Sequence, residues 1–100
     1  MKQRDRAEIV VEDILIDERK AAYIRKKGVQ THDVLEVLEH IPHFFEETID
    51  SNHRYSMLGP NRAGKFLLVA IARVEGNEWR LITAYWLTRR GRARRLYEEE

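Results

Sequence analysis

The fold of this chain is decided by the stretch GKFLLVAIARVEGNEWRLITAYW, which spans residues 64–86. It holds two apolar runs, Phe66–Val74 and Trp79–Trp86, separated by a polar segment that contains Gly76 and Asn77. β-Branched and aromatic residues favour strands, and Gly-Asn tolerates the positive φ of a tight turn, so the pattern predicts a β-hairpin. Both faces of the first run are apolar in the middle, which predicts a strand in the centre of a sheet.

Alternation along the second strand predicts which side chains share a face of the sheet. Uninterrupted alternation places Arg80 on the face of Ile82, Ala84 and Trp86, and leaves Leu81, Thr83 and Tyr85 on the opposite face. A cation therefore stands at the start of this strand, and Arg73 stands towards the end of the first one.

Apolar periodicity and turn residues divide the rest of the chain into short elements. The predicted elements are a strand over Ile9–Ile16, a helix from Asp17 to Lys27 closed by Gly28, a helix over His32–Ile41 capped by Thr31, strands over Phe44–Ile49 and Arg54–Leu58, and a final helix from Thr88 to Glu99. Residues 1–8 are charged and are expected to be a flexible segment, and residues 9–100 form a single domain. The predicted fold class is α+β, with two N-terminal helices and a C-terminal helix on an antiparallel sheet of four to five strands.

Composition limits the class of protein. One hundred residues with 43% hydrophobic content suit one small core. The absence of cysteine excludes disulfides and thiolate metal sites. No apolar run approaches the length of about 20 residues that a membrane-spanning helix needs, so a soluble cytoplasmic protein without membrane contact is expected. Charge is uneven: residues 1–50 carry 8 Lys and Arg against 12 Asp and Glu, and residues 51–100 carry 10 against 5.

Basic residues are concentrated near the C-terminus, where Arg89–Arg95 holds five arginines in seven positions. One interpretation is a solvated helix whose charges serve solubility. The other is a helix that contacts phosphates, because guanidinium groups match phosphate geometry and such contacts provide most nonspecific affinity for nucleic acid. In the second interpretation Arg89 and Arg90 follow an RNA backbone.

Further cations lie on and between the predicted strands: Arg54, Arg62, Lys65, Arg73 and Arg80. Cations on rigid strands can stabilise the charge of a phosphate transition state, because their positions are fixed before that charge develops. The strand register decides whether Arg54 converges with Arg73 or with Arg80. His53 is a candidate general base, since the ordinary pKa of histidine is near neutrality, and polar turn surface is its other interpretation. The four histidines have no metal-ligand spacing, so neither a metal nor a cofactor is expected.

The order of these motifs resembles the BrnT-type toxins of the RelE-like ribonuclease toxin superfamily. That family has a turn of Trp-Asp-Pro-x-Lys type into a helix ending in Lys-His-Gly-Val, and here the corresponding stretches are 16–20 and 26–29. Its three later strands correspond here to the stretch with Arg54 and Gly59, to Gly64 with residues 67–69, and to residues 80–84. Its arginine-rich terminal helix corresponds to residues 89–97. This chain departs at two positions: Lys27 replaces the family's histidine, and Tyr85 replaces an arginine.

The resemblance implies a metal-independent endoribonuclease of a type II toxin-antitoxin system. Such an enzyme cuts single-stranded RNA by attack of a 2′-hydroxyl on the adjacent phosphate, and a small antitoxin protein neutralises it. Arg54 and Arg80 are the expected phosphate clamp, with Lys65 as a third cation. The expected proton carrier is His53, Lys27 or Tyr97, and Lys27 and Tyr97 are also expected to contact the RNA.

Two other functions are consistent with the residues. The first is a noncatalytic module that binds RNA or a protein, in which Tyr85 stacks on a base. The second is a homodimeric structural protein with a contact around Trp79 and Trp86.

Overall fold

The computed structural model describes residues 2–40, 42–49 and 52–87. Over these residues the chain is an α+β domain with one mixed sheet and two helices. The elements are β1 (Lys2–Arg6), β2 (Asp13–Leu15), α1 (Glu18–Arg25), α2 (Thr31–Glu39), β3 (His43–Ile49), β4 (Asn52–Pro60), β5 (Phe66–Glu75) and β6 (Glu78–Trp86). The predicted helix after Thr88 lies outside the described residues.

The strand order in the sheet is β1-β3-β4-β5-β6-β2. The β5–β6 hairpin is confirmed, with Gly76 at φ +55° in its turn, and β5 is an interior strand as the apolar pattern predicts. Neighbouring strands from β1 through β3, β4 and β5 to β6 pair antiparallel, but β2 pairs parallel to β6. The expected antiparallel sheet of four to five strands is therefore corrected to a mixed sheet of six, because β1 and β2 add a strand at each edge.

Two expectations about the first 16 residues need correction. The segment expected to be flexible, residues 1–8, contains the edge strand β1, whose backbone pairs with β3 from Lys2 to Arg6. The strand expected over Ile9–Ile16 is reduced to Asp13–Leu15. The physical reason is that the carbonyl of Val10 accepts a hydrogen bond from the indole Nε1 of Trp79 at 3.0 Å, so this backbone is held by a side chain instead of a strand ladder.

Both helix starts follow from local hydrogen bonding. Asp17 caps α1, since its carboxylate accepts a hydrogen bond from the backbone N–H of Lys20 at 2.7 Å. The cap of α2 is Gln30 and not Thr31, because the Asp33 carboxylate accepts a hydrogen bond from the Gln30 N–H at 2.8 Å. The turn after α1 uses the left-handed conformation expected at the glycine, Gly28, at φ +79°.

The helices cover one face of the sheet, which we call the helix face. Trp79, Val69 and Ile71 are fully buried there, together with Ile24 of α1 and Val34 of α2. The opposite face, which we call the second face, has a smaller apolar cluster of Phe45, Leu58 and Leu68, with Leu87 packed against it. Among the described residues, no helix is long and apolar enough to span a membrane.

A β-bulge in β6 changes the face on which Arg80 lies. The register pairs Ala70 with Thr83 and Ile71 with Leu81, which leaves Ile82 as an extra residue. Uninterrupted alternation was therefore the wrong pattern for this strand. Arg80, opposite Ala72, shares the second face with Thr83 and Tyr85, while Leu81, Ala84 and Trp86 lie on the helix face.

Candidate functional site

Two of the predicted clamp residues lie in one row on the second face. Arg80 is opposite Ala72 in the β5–β6 register. The β4–β5 register ends at Tyr55 opposite Ile71, and one further residue brings Arg54 to the other side of Ala72. Adjacent strands are about 4.8 Å apart, so the two arginine backbones are separated by about 10 Å. Both side chains are exposed, and they form what we call the arginine row.

The arginine row suits an anion that spans the small side chain between its members. Ala72 leaves room between the two long side chains, whose guanidinium groups are forked donors matched to phosphate oxygens. Glu47 is the register partner of Arg54 on β3. The sequence left open whether Arg54 is close to Arg73 or to Arg80, and the register places it in the row of Arg80. Arg73 lies on the helix face, with its guanidinium 4.9 Å from the ring centroid of Trp79.

A second group of polar side chains joins α1 and the turn after it to β6. The ammonium of Lys27 donates a hydrogen bond to Oγ1 of Thr83 at 3.0 Å and lies 4.7 Å from the ring centroid of Tyr23. The ammonium of Lys20 lies 5.5 Å from the same ring and donates a hydrogen bond to the carbonyl of Ile82 at 3.1 Å. We call Lys20, Tyr23, Lys27 and Thr83 the tyrosine cluster.

The bulge supplies two partners of the tyrosine cluster. Ile82 is the extra residue, and its carbonyl accepts the hydrogen bond from Lys20. Thr83 follows the bulge and therefore shares the second face with Arg80. Their partners on β5 are Ala70 and Ala72, two residues apart, so the rows of Thr83 and Arg80 are separated by about 7 Å.

The tyrosine cluster changes the acidity of its phenol. The pKa of Tyr23 is lowered from its ordinary value, first because the Lys27 side chain hydrogen-bonds the phenol and second because the Thr83 hydroxyl does. The positive charges of Lys27 and Lys20 act in the same direction, and desolvation opposes them. Tyr23 is 44% exposed, so this phenol is open to a ligand in solution.

Lys65 does not join the arginine row. Its ammonium lies 4.7 Å from the ring centroid of Trp86, a residue of the helix face, at the end of β6 opposite to Arg80. The Trp86 indole donates a hydrogen bond to the carbonyl of Gly28 at 2.9 Å, which ties this residue to the turn that carries Lys27. Lys65 is therefore nearer in the fold to the tyrosine cluster than to the expected clamp.

The other predicted site residues divide into two groups. Tyr85 is 41% exposed on the second face, in the row next to Thr83, so its ring is available for stacking. His53 belongs to β4 opposite Thr48, and its side chain lies outside the described part of the chain. The same is true of the predicted RNA contacts Arg89, Arg90 and Tyr97, which follow residue 87.

One group of possible metal ligands, His32, Asp33 and Glu36, lies within 4.8 Å on α2, and its hydrogen bonds explain its arrangement. The Asp33 carboxylate accepts hydrogen bonds from the Gln30 N–H and from the amide of Asn61 at 3.2 Å. Glu36 accepts the backbone N–H of Arg62 at 2.9 Å. These bonds attach the loop before β5 to α2 and give the Asp33 and Glu36 side chains a structural role.

Tyr23, Lys20 and Thr83 were missed in the sequence as members of the site. A signal was present, because Lys20, Tyr23 and Lys27 follow the spacing i, i+3 and i+7 that places side chains on one helical face. The position of Thr83 beside Arg80 could not be read in this way, since the bulge at Ile82 interrupts the alternation of β6.

The described part of the chain is a small α+β domain with cations and aromatic rings along β6. No family model matches this chain, and none of the curated proteins is significantly similar to it in sequence.

Proposed function

We propose that this chain is a toxin-like, metal-independent endoribonuclease that binds single-stranded RNA along the second face of β6. The observation that carries the proposal is the β6 bulge, because it brings Arg80, Thr83 and Tyr85 to one face and places the tyrosine cluster beside the arginine row. The cleavage chemistry is what the resemblance to BrnT-type toxins implies.

Each part of this surface has a role in the proposal. Arg54 and Arg80 bind the phosphate under attack and stabilise the negative charge that develops on it. Lys27 and Lys20 bind neighbouring phosphates, and Tyr85 stacks on a base. The exposed positions of Arg54, Arg80 and Tyr85 support these roles, since each can be reached from solvent.

The proposal includes the finer features of a RelE-like fold. We propose that residues 88–99 form the terminal helix predicted from the sequence, with Ala93, Leu96 and Tyr97 as its apolar stripe. A small antitoxin is the proposed protein partner, and the cytoplasm is the proposed compartment.

The test is cleavage of an end-labelled single-stranded RNA by the wild-type chain with EDTA present. We expect products that end in a 2′,3′-cyclic phosphate and begin with a 5′-hydroxyl, because the 2′-oxygen is the nucleophile. Arg62→Gln is the matched control, since Arg62 is paired with Glu39 at 3.3 Å and belongs to neither group of the site. Cleavage that requires added Mg²⁺ would contradict the proposal.

One observation favours a second function, a noncatalytic RNA-binding module. Tyr85, 41% exposed, stands where the resembling family has an arginine, and an aromatic ring contributes binding by stacking but no positive charge. RNA that stays intact in the cleavage assay while it binds in a salt-sensitive manner is the outcome that this second function predicts.

A further inference from the structure

We infer that Tyr23 is the proton carrier of the proposed cleavage, with its phenolate oxygen as the base that accepts the proton of the attacking 2′-hydroxyl. The inference rests on the proposed function and adds a catalytic residue to it. It stands on two ammonium groups, Lys27 at 4.7 Å and Lys20 at 5.5 Å from the centroid of the Tyr23 ring. Lys27 in turn donates a hydrogen bond to Thr83, whose row is next to the row of Arg80.

The geometry gives Tyr23 what a general base needs. A base must be reachable by the substrate, and Tyr23 is 44% exposed. It must also lie near the phosphate under attack, and the row of its partner Thr83 is about 7 Å from the row of Arg80. A phosphate held by Arg80 therefore places a neighbouring ribose within the span of the cluster.

The surroundings of Tyr23 favour its charged form. Within the described residues, three charged or polar groups face the phenol. They are the ammonium of Lys20 on α1, the ammonium of Lys27 in the turn after α1, and the hydroxyl of Thr83 on β6. The lowered pKa of Tyr23 is consistent with this arrangement, since the Lys27 side chain, the Thr83 hydroxyl and the charge of Lys20 all favour the phenolate. The phenolate is thus populated at lower pH than in an ordinary tyrosine.

The proposed step is balanced in atoms and electrons. The Tyr23 oxygen takes the proton of the 2′-hydroxyl, and the 2′-oxygen forms a bond to phosphorus. The bond from phosphorus to the 5′-oxygen breaks, and its electron pair stays on that oxygen, which takes a proton from the ammonium of Lys27. The products are a 2′,3′-cyclic phosphate and a 5′-hydroxyl. The Lys27 ammonium lies 4.7 Å from the centroid of the Tyr23 ring, so a proton that passes from the phenol to the amine restores both groups.

The experiment compares Tyr23→Phe with wild type in single-turnover cleavage of the labelled RNA across a pH series. Phenylalanine keeps the ring that the lysines contact and removes only the hydroxyl. We expect cleavage to fall by about 10²- to 10⁴-fold while RNA affinity and Tm stay unchanged. Tyr55→Phe is the matched control, because this tyrosine packs edge-on against Trp79 on the helix face.

The pH series separates a base from a structural residue. We expect the wild-type rate to rise with pH through a pKa below the ordinary tyrosine value of about 10, and we expect Tyr23→Phe to lack this rise. Lys27→Met should lower the rate, since it removes the proton donor, and should move the remaining rise to higher pH, since it removes the largest cause of the lowered pKa of Tyr23.

The inference is overturned if Tyr23→Phe cleaves at the wild-type rate, or if it loses RNA binding together with cleavage. In both of these outcomes wild type still cleaves, so the proposed function survives. Absence of cleavage by wild type rejects the proposed function, and the role of Tyr23 with it.

Discussion

Replacing Arg80 by alanine is expected to lower the cleavage rate by about 10²- to 10³-fold, the usual cost of removing one preorganised group that stabilises charge in a transition state. Arg80 is fixed by pairing on both sides, with Ala72 of β5 and with Leu15 of β2, so its backbone does not need to reorganise as charge develops on the phosphate. Arg54→Ala is expected to have an effect in the same direction, because Arg54 is the other member of the arginine row.

The controls for this prediction use the same assay and the same RNA. Arg80→Lys keeps the charge but loses the forked donor, so an intermediate rate is expected. Arg62→Gln removes a cation that Glu39 already pairs, and it should cleave as wild type does. Equal losses in Arg80→Ala and Arg62→Gln would mean that general positive charge matters and that the row does not. The double variant is expected to lose less than the product of the single losses, since both arginines act on one phosphate.

Replacing Trp79 by alanine is expected to reduce the free energy of unfolding by about 3 to 5 kcal/mol, the range for removing a large aromatic side chain from a core. Trp79 is fully buried and packs edge-on against Tyr55 at a ring separation of 5.2 Å. Its indole also holds the Val10 carbonyl, so the substitution leaves a cavity and releases the segment before β2. Urea unfolding followed by circular dichroism measures the change.

Two further variants make the Trp79 prediction specific. Trp79→Phe keeps part of the ring packing and loses the indole N–H, so its loss should be smaller. Val74→Ala is the control on the neighbouring strand, because Val74 is 49% exposed, and we expect a change within about 0.5 kcal/mol. A loss at Trp79→Ala no larger than that of Val74→Ala would contradict the placement of Trp79 in the core.

Local signals in the sequence predicted local structure well. The hairpin, its turn at Gly76, the Asp17 cap and the left-handed Gly28 all depend on residues close in the chain, and each is confirmed. The cap of α2 differs by one residue, because Asp33 reaches back to Gln30 and makes the better cap.

Features that depend on distant residues could not be predicted. The parallel pairing of β2 with β6 joins residues more than sixty positions apart, and no hydrophobic pattern encodes it. The bulge at Ile82 reverses the face of Arg80 because one extra residue shifts a period of two. Arg54 and Arg80 were predicted as a pair, and the register now gives the row that joins them, whereas Lys65 lies with Trp86 at the other end of β6.

Only part of the candidate site could be predicted, because its contacts also depend on residues that are distant in the chain. Single cations on strands are visible in the sequence, but the neighbour of each cation is set by register. Lys27 was expected to contact RNA, and its hydrogen bond to Thr83 gives it a fixed position on β6. The surroundings of Tyr23 depend on Lys27 in the turn after α1 and on Thr83, which lies on a strand sixty residues later.

The most direct test of the β6 surface is the salt dependence of its binding to a fluorescent single-stranded RNA. For single strands the logarithm of the affinity falls with the logarithm of salt concentration by about 0.7 for each neutralised phosphate. We therefore expect Lys27→Gln and Arg80→Gln each to reduce the slope by about 0.7, and Arg62→Gln to keep the wild-type slope. The same slope in all three variants, or binding that does not respond to salt, would contradict an RNA surface along β6.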